Sequence, residues 1–212
     1  MDIIINIFKS MIEFFYGFTG DFGIAIVLVT LGVKLIMLPF SIKQRIAMKK
    51  QLAFSKKIES VKDKYKNNKK KQEDELNKLY LESSKGMLGC LIPILQLPII
   101  SGLYMSINSL KVEAMTILIP WAMNIGNADD KFIVPIIYTL ITIAPSIISY
   151  FKIFGSNEES ASIKTVLPMM ILGLIITIKA PIALGIYFIT SSTFSLVEDI
   201  GFRLYSKNKV FS

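Results

Sequence analysis

The 212-residue sequence contains no histidine and a single cysteine, and these two shortages exclude several kinds of chemistry. A disulfide within the chain needs two cysteines, and a metal cluster of histidine and cysteine ligands needs several such residues. Ser-His and Cys-His catalytic pairs are excluded for the same reason. The sequence also has neither a Gly-rich phosphate-binding loop nor a magnesium-binding set of residues. We therefore expect no enzyme activity and no cofactor.

Acidic residues are also scarce, with 16 aspartates and glutamates against 24 lysines and arginines, and the formal net charge is +8. The excess lies in one place, because the segment from Lys43 to Lys85 carries fourteen basic and six acidic residues. The rest of the chain is neutral overall. With 52% hydrophobic residues and a mean hydropathy of +0.54, the composition is typical of a membrane protein.

A long apolar run at residues 22–42, FGIAIVLVTLGVKLIMLPFSI, is interrupted by one formal charge, Lys34. As a helix rising about 1.5 Å per residue, the run spans the roughly 30 Å hydrocarbon core of a bilayer. An ammonium at that depth costs about 2.5 to 3.5 kcal/mol on insertion scales, so Lys34 should face a polar cavity or reach an interface. The second option is open, because the lysine arm can snorkel towards the boundary near Lys43, about 13 Å away along the helix.

The remaining pattern predicts an all-α integral membrane protein with five transmembrane helices, an external amphipathic helix and a cytoplasmic helical hairpin. Asn6, Lys9, Ser10 and Glu13 recur at three- and four-residue steps, as in a helix lying in the membrane interface. The predicted segments are 1–20 (amphipathic helix), 21–42 (first span), 43–86 (hairpin), 87–108 (second span), 109–131 (external loop), 132–151 (third span), 152–165 (cytoplasmic loop), 166–178 (fourth span), 182–197 (fifth span) and 198–212 (cytoplasmic tail).

The distribution of charge predicts the orientation of these spans. Residues 43–85, with a net charge of +8, belong in the cytoplasm by the positive-inside rule. Residues 111–131 carry only two basic and three acidic side chains. We therefore expect the N-terminus outside and the C-terminus in the cytoplasm. Trp121, the only tryptophan, suits an anchor at the level of the headgroups, within a re-entrant or interfacial piece around Met115 to Met123.

Three stretches, in this order, resemble signatures of one family across nearly the whole chain. They are VTLGVKLIMLPFSIKQ at 29–44, GCLIPILQLPIISGLY at 89–104 and PIALGIYFITSSTFSLVED at 181–199. The sequence resembles the bacterial membrane protein insertases of the Oxa1, YidC and Alb3 group, in their five-span, Gram-positive-type form. This resemblance implies a multi-pass protein of the bacterial plasma membrane, with the same architecture as the residue pattern predicts.

The resemblance also implies a function, which is to accept nascent hydrophobic segments from the cytoplasm and release them laterally into the bilayer. Family members hold a basic residue of the first span in a hydrophilic inner-leaflet groove. That residue is normally arginine, and Lys34 stands at the matching position. The implied partners are nascent membrane proteins and lipid, with ribosomes, signal-recognition targeting factors and the Sec translocon as candidates. We expect a functional monomer.

Several further residues match polar, aromatic or proline positions of the family, and each also has a simpler structural explanation. Hydroxyl groups in spans commonly bond their own backbone, a glutamine can bond a neighbouring helix, and aromatic rings can pack within the bundle. Prolines shape helices where neighbours satisfy the backbone. The candidates are Gln96, Thr30, Ser101, Thr190 and Ser191 for the groove, Tyr187 and Phe188 for substrate contact, and Pro93, Pro98, Pro145 and Pro181 for helix shape.

The lysine-rich hairpin and the protein class leave alternatives open. The hairpin lysines could form a solvated surface, bind anionic headgroups, or contact ribosomal RNA and targeting factors. A small transporter or channel with Lys34 as its polar site is the main competing class, although the sequence lacks the paired repeats common in such proteins. A membrane assembly factor without insertase activity is a third class.

Overall fold

The computed structural model describes residues 2–66, 68–83, 99–107, 115–149 and 163–210. Most of these residues are helical, and their only β feature is an isolated bridge between Ala128 and Pro181. The predicted all-α class is therefore confirmed for the described part of the chain. The helices are α1 (Asp2–Thr19), α2 (Phe22–Lys64), α3 (Lys69–Ser83), α4 (Ile133–Ser149), α5 (Ile163–Lys179) and α6 (Ile182–Val210), with a further helical segment at 99–107.

The chain divides into two compact units, and the division falls within α2. One unit, here called the core unit, comprises Met1–Ile36 and Pro98–Ser212. The other, here called the hairpin unit, comprises Met37–Leu97.

The core unit begins with a tight turn between α1 and α2. Gly20 has a φ of 67°, the left-handed conformation that commonly ends a helix, and its N–H donates to the Tyr16 carbonyl at 2.8 Å. The rings of Tyr16 and Phe22 stack across the turn with centroids 4.0 Å apart. The turn therefore places the start of α2 directly against the end of α1.

Buried apolar side chains from several elements form the centre of the core unit. Ala25, Ile26 and Val29 lie on one face of α2, as the three- and four-residue spacing of a helix requires. Helix α4 packs against both α5 and α6. The approach of α4 to α6 is close at Gly185, where an added Cβ would overlap the Val134 side chain. The other buried apolar residues are Phe8, Ile12, Leu103, Ile119, Ile125, Ile182, Ala183, Leu184, Ile186 and Tyr187.

In the hairpin unit, α3 contacts the C-terminal part of α2. The rings of Phe54 and Tyr80 meet edge to face with centroids 6.0 Å apart, and the Gln72 side chain donates to the Lys62 carbonyl at 2.9 Å. Asn68 caps the start of α3, because its side-chain oxygen accepts the Lys71 N–H at 3.2 Å.

Several helix boundaries differ from the predicted segments. Helix α2 continues through Pro39 to Lys64 as one helix, across the predicted junction between the first span and the hairpin. Helix α6 likewise continues beyond residue 197 to Val210. Residues 115–132 form a series of turns and bends without regular helix.

Length and composition identify one described helix, α2, as able to cross a membrane. A shorter apolar helix covers Ile133–Ile148. The count of five spans stays a prediction, and much of the predicted second span, 87–108, lies outside the described residues.

Candidate functional site

Lys34 lies on α2, more than three turns from its start, and is half-buried. Its ammonium donates a hydrogen bond to the hydroxyl of Ser195 on α6, with the Nζ and Oγ atoms 3.2 Å apart. The two residues that follow Lys34 point outwards, since Leu35 is 59% and Ile36 is 74% exposed. The charged side chain therefore turns towards α6 while its apolar neighbours cover the surface of the core unit.

Two predicted groove hydroxyls, Thr30 and Thr190, donate to the backbone of their own helices. Thr30 is buried and donates to the Ile26 carbonyl at 2.7 Å, and Thr190 donates to the Ile186 carbonyl at 2.8 Å. This is the usual bonding of a hydroxyl within a helix. Each oxygen keeps lone pairs that can accept a further bond.

Ser191 lies one turn before Ser195 on α6, and Thr30 lies one turn before Lys34 on α2. Side chains four residues apart share one face of a helix. Ser191 is buried like Thr30, whereas Lys34 and Ser195 are both half-buried. Lys34 and Ser195 are therefore more accessible than the polar residues one turn before them.

The predicted substrate-contacting aromatics pack within the core unit. Tyr187 is buried and its ring centroid lies 5.5 Å from that of Phe188. Phe188 is half-buried and its ring also lies 5.5 Å from the ring of Tyr138 on α4. Phe188 thus contacts α4, and Tyr187 packs beside it in the core.

The remaining predicted residues are scattered. Ser101 is half-buried on the helical segment 99–107, and Pro145 lies inside α4. Pro181 immediately precedes α6, and its carbonyl accepts the N–H groups of Leu184 and Gly185. Gln96, Pro93 and Pro98 lie outside the described residues.

A second polar cluster forms around Asp21, the residue before α2. Its Oδ1 accepts the Ile24 N–H at 2.9 Å, which caps the helix, and the Thr116 hydroxyl at 2.7 Å. Its Oδ2 accepts the Ile117 N–H at 2.7 Å. Gly23 makes room for this contact, because an added Cβ would overlap the Thr116 side chain.

Asp129 plays the same part at the start of α4. Its Oδ2 accepts the Val134 N–H at 2.8 Å, and its Oδ1 accepts the indole N–H of Trp121 at 3.0 Å and the Lys131 N–H at 3.2 Å. Burial alone would raise the pKa of this carboxyl group, but the hydrogen bonds outweigh burial and hold its pKa below the ordinary value of 3.8. Asp129 is therefore a buried carboxylate that stays ionised at neutral pH.

Sequence reasoning missed Ser195, Asp21 and Asp129 as site residues. Ser195 lies inside a family-like stretch and four residues after Ser191, and this spacing places it on the same helical face. An aspartate immediately before an apolar helix, as at Asp21, indicates an N-cap. The bonds from these aspartates to residues 116, 117 and 121 carry no signal in local sequence.

Comparison with known proteins agrees with the motifs. The family model described as 60Kd inner membrane protein matches residues 14–209. "Membrane protein insertase YidC 2" of Listeria innocua is 34% identical over 197 residues, which cover 91% of this chain and 67% of that protein.

Two relatives of similar length align along almost their whole sequences. "Membrane protein insertase YidC" of Fusobacterium nucleatum is 29% identical, with 94% of this chain and 96% of that protein covered. The protein of the same name from Caldanaerobacter subterraneus is 27% identical, with 93% of each chain covered. The extent of the family match and the identity to the Listeria protein establish that the chain belongs to the 60Kd inner membrane protein family, the YidC/Oxa1 family.

Proposed function

We propose that the chain is a non-enzymatic membrane protein insertase, which accepts hydrophobic segments of nascent proteins and releases them laterally into the bilayer. The observation that carries the proposal is the hydrogen bond from Lys34 to Ser195 between two helices of a chain in this family. We place both residues in a hydrophilic groove of the inner leaflet, with Lys34 as the charge that attracts acidic substrate segments.

The side chains at positions 34–36 support a groove whose inner side is polar and whose outer side is apolar. Leu35 and Ile36 are exposed apolar side chains suited to lipid, whereas the Lys34 ammonium is directed to the Ser195 hydroxyl. A charge at membrane depth is stable only where polar groups or water solvate it. The Ser195 hydroxyl on α6 therefore favours a Lys34 side chain that stays between the helices over one that extends to the interface.

The free energy for insertion comes from the substrate itself in this mechanism. A polar segment that crosses hydrocarbon leaves unsatisfied groups at a cost of several kcal/mol each, and a wet groove reaching partway across the bilayer shortens that path. Burial of the apolar substrate segment in lipid then returns roughly 25 cal/mol per Å². The membrane potential adds to this for charged substrate tails.

The proposed orientation has the N-terminus outside and the hairpin in the cytoplasm of a bacterial cell. The +8 charge of residues 43–85 supports it by the positive-inside rule. Further support comes from the starts of α2, α4 and α6, which all lie against residues 115–132 and therefore on the same side. Asp21, the residue before α2, accepts the Ile117 N–H, and the first turns of α4 and α6 donate to Asp129, Asn127 and Ile125. Ribosomes, targeting factors and the Sec translocon are the proposed partners of the cytoplasmic side.

Reconstitution into liposomes tests the proposal directly. The purified full chain is supplied with a short single-span substrate that has an acidic N-terminal tail, and insertion is scored by protease protection. We expect Lys34→Ala to lower insertion by roughly tenfold or more, the factor expected when a charge-assisted contact is lost. Lys34→Arg should keep most of the activity, because it retains the charge.

A matched control tests whether the position of the Lys34 charge matters, or only the net charge of the protein. Lys179→Ala removes one lysine at an exposed end of α5 and should leave insertion unchanged. Equal insertion by the wild type and by Lys34→Ala would remove Lys34 from the mechanism. Flux of small solutes without insertion would instead favour the transporter class.

A further inference from the structure

An ion pair on α6 lies one turn beyond the serine that contacts Lys34. Its members are Asp199 and Arg203, and the guanidinium Nε donates to the carboxylate Oδ2 at 2.7 Å. Both side chains are largely buried, since 14% of Arg203 and 16% of Asp199 is exposed. The pair is therefore shielded from much of the water that weakens ion pairs on a protein surface.

The Asp199 carboxylate is placed close to the region of α6 that Lys34 contacts. Asp199 lies four residues after Ser195, so it shares the same helical face and lies about 6 Å farther along the axis. Side chains of a helix lean towards its N-terminus, which directs the Asp199 side chain back towards Ser195. A lysine side chain is long and flexible. Asp199 therefore lies within the reach expected of the Lys34 ammonium.

A contact between Asp199 and Lys34 would oppose the proposed function. An ammonium and a carboxylate attract each other strongly where little water separates them. An acidic substrate segment would then have to displace Asp199 before it could bind Lys34. A groove that uses Lys34 to attract acidic segments therefore needs a second partner for this carboxylate.

Arg203 meets this need, because it binds Asp199 from the side away from Ser195. An acidic residue four positions before a basic one is the favourable order for an ion pair on a helix. The Arg203 Nη1 atom is buried and has no hydrogen-bond partner in the part of the chain that the structure describes. A buried donor without a partner costs free energy, and a buried ion pair is weak evidence for stability. The arrangement therefore fits a functional pair better than one that serves stability alone.

We propose that Arg203 is a positioning residue, which holds the Asp199 carboxylate on α6 and so keeps the Lys34 charge available to acidic substrate segments. The inference rests on the proposed function of Lys34. Arg203 acts through Asp199 and does not contact the substrate. Its loss should therefore matter for substrates with acidic tails and not for substrates with neutral tails.

Insertion by the full chain in liposomes tests this role with two single-span substrates, one with an acidic and one with a neutral tail. We expect Arg203→Gln to lower insertion of the acidic substrate by about tenfold, the factor for a change in one hydrogen bond to a charged group. Insertion of the neutral substrate should stay the same. Arg203→Lys retains the charge and should retain most of the activity.

A second substitution in the same chain should rescue the defect. Asp199→Asn combined with Arg203→Gln leaves no carboxylate at position 199 to bind Lys34, so insertion of the acidic substrate should return to the wild-type level. The matched control combines Glu198→Gln with Arg203→Gln, because Glu198 is the adjacent, half-buried carboxylate and the net charge is the same. This control should stay defective. Equal rescue by both double variants would overturn the inference, since net charge alone would explain it.

The Asp199→Asn/Arg203→Gln variant also covers the case in which Arg203→Gln does not fold, because it leaves neither member of the pair charged and unpaired. Circular dichroism in detergent confirms its folding. Low insertion of the acidic substrate by this folded variant would overturn the inference and assign Arg203 a direct contact with the substrate.

Crosslinking tests the position of Asp199 independently of insertion. A carbodiimide joins a carboxylate to an amine that contacts it, and mass spectrometry identifies the Lys34–Asp199 product. We expect Arg203→Gln to raise the yield of this product by about tenfold over the wild type, as the competing charged hydrogen bond is lost. An unchanged yield would overturn the inference, as would a raised yield with normal insertion of the acidic substrate. A wild type that inserts neither substrate would overturn the proposed function, while the crosslinking yields would still decide whether Arg203 holds Asp199 away from Lys34.

Discussion

The Lys34 ammonium on α2 and the Ser195 hydroxyl on α6 lie 3.2 Å apart although 161 residues separate them in the chain. A hydroxyl can accept from the ammonium while it donates elsewhere, so Ser195 can solvate the charge without neutralising it. This contact by itself leaves the formal charge of Lys34 in place, as the proposed attraction for acidic substrate segments requires.

Substitution of Ser195 tests this relationship. Ser195→Ala removes the acceptor, and we expect insertion of an acidic single-span substrate to fall, by less than in Lys34→Ala, because the charge itself remains. Ser195→Thr keeps a hydroxyl and should retain most of the activity. Insertion is measured in liposomes for substrates whose tails carry increasing numbers of acidic residues.

Thr193→Ala provides the control on the same helix. The Thr193 hydroxyl is exposed and donates to the Ile189 carbonyl of α6 itself, so its loss should not affect insertion. A defect in Ser195→Ala that is the same for acidic and neutral substrate tails would argue against a role through Lys34.

The stability of the protein should respond differently to alanine at Gly23 and at Gly32, the two glycines of α2. In Gly23→Ala the new methyl group overlaps the Thr116 side chain, and we expect a loss of about 1 to 3 kcal/mol, as for overpacking in a core. At Gly32 the added Cβ meets open space, so Gly32→Ala should stabilise the helix by up to about 1 kcal/mol. Thermal unfolding in detergent, followed by circular dichroism, gives the comparison. Equal melting temperatures for the two variants would contradict the close contact at Gly23.

Gly185 allows a test by compensation. Gly185→Ala places a methyl group against the Val134 side chain and should destabilise the contact between α4 and α6 by about 1 to 3 kcal/mol. Val134→Ala in the same chain frees the space, so the double variant should lose less than the sum of the two single losses. Gly201→Ala on the same helix is the control, since an added Cβ there meets nothing within 4 Å. Additive losses would contradict direct contact between positions 134 and 185.

The sequence predicts local features of this protein well and the contacts between distant residues poorly. The apolar run at 22–42 and the single charge of Lys34 are strong local signals, and both fall on α2. Helix α2 runs across the predicted junction after residue 42, because a switch from apolar to charged residues marks a change of solvent and not an end of helical bonding. Proline at position 39 did not end the helix either.

The parts of the site that escaped prediction depend on tertiary structure. Hydroxyl residues such as Thr30 and Ser195 look alike in sequence, yet Thr30 donates to its own helix while Ser195 accepts from Lys34. Asp129 and Asp130 are adjacent and identical in type, but only Asp129 is buried. Which of two equal residues turns inwards is decided by the packing of the loop against the helices.

Acid should release Trp121 from Asp129. Because hydrogen bonds hold the pKa of Asp129 below 3.8, the carboxylate stabilises the folded loop at every pH above that value. This contribution is lost as the pH falls through the folded pKa, where protonation removes the charge that the indole and backbone N–H groups bind. We expect Trp121 emission to be constant from pH 7 to about pH 4 and to shift to longer wavelength below it. In Asp129→Asn this step should be absent, whereas Asp130→Asn should retain it. A step centred above pH 4 in the wild type would contradict a lowered pKa.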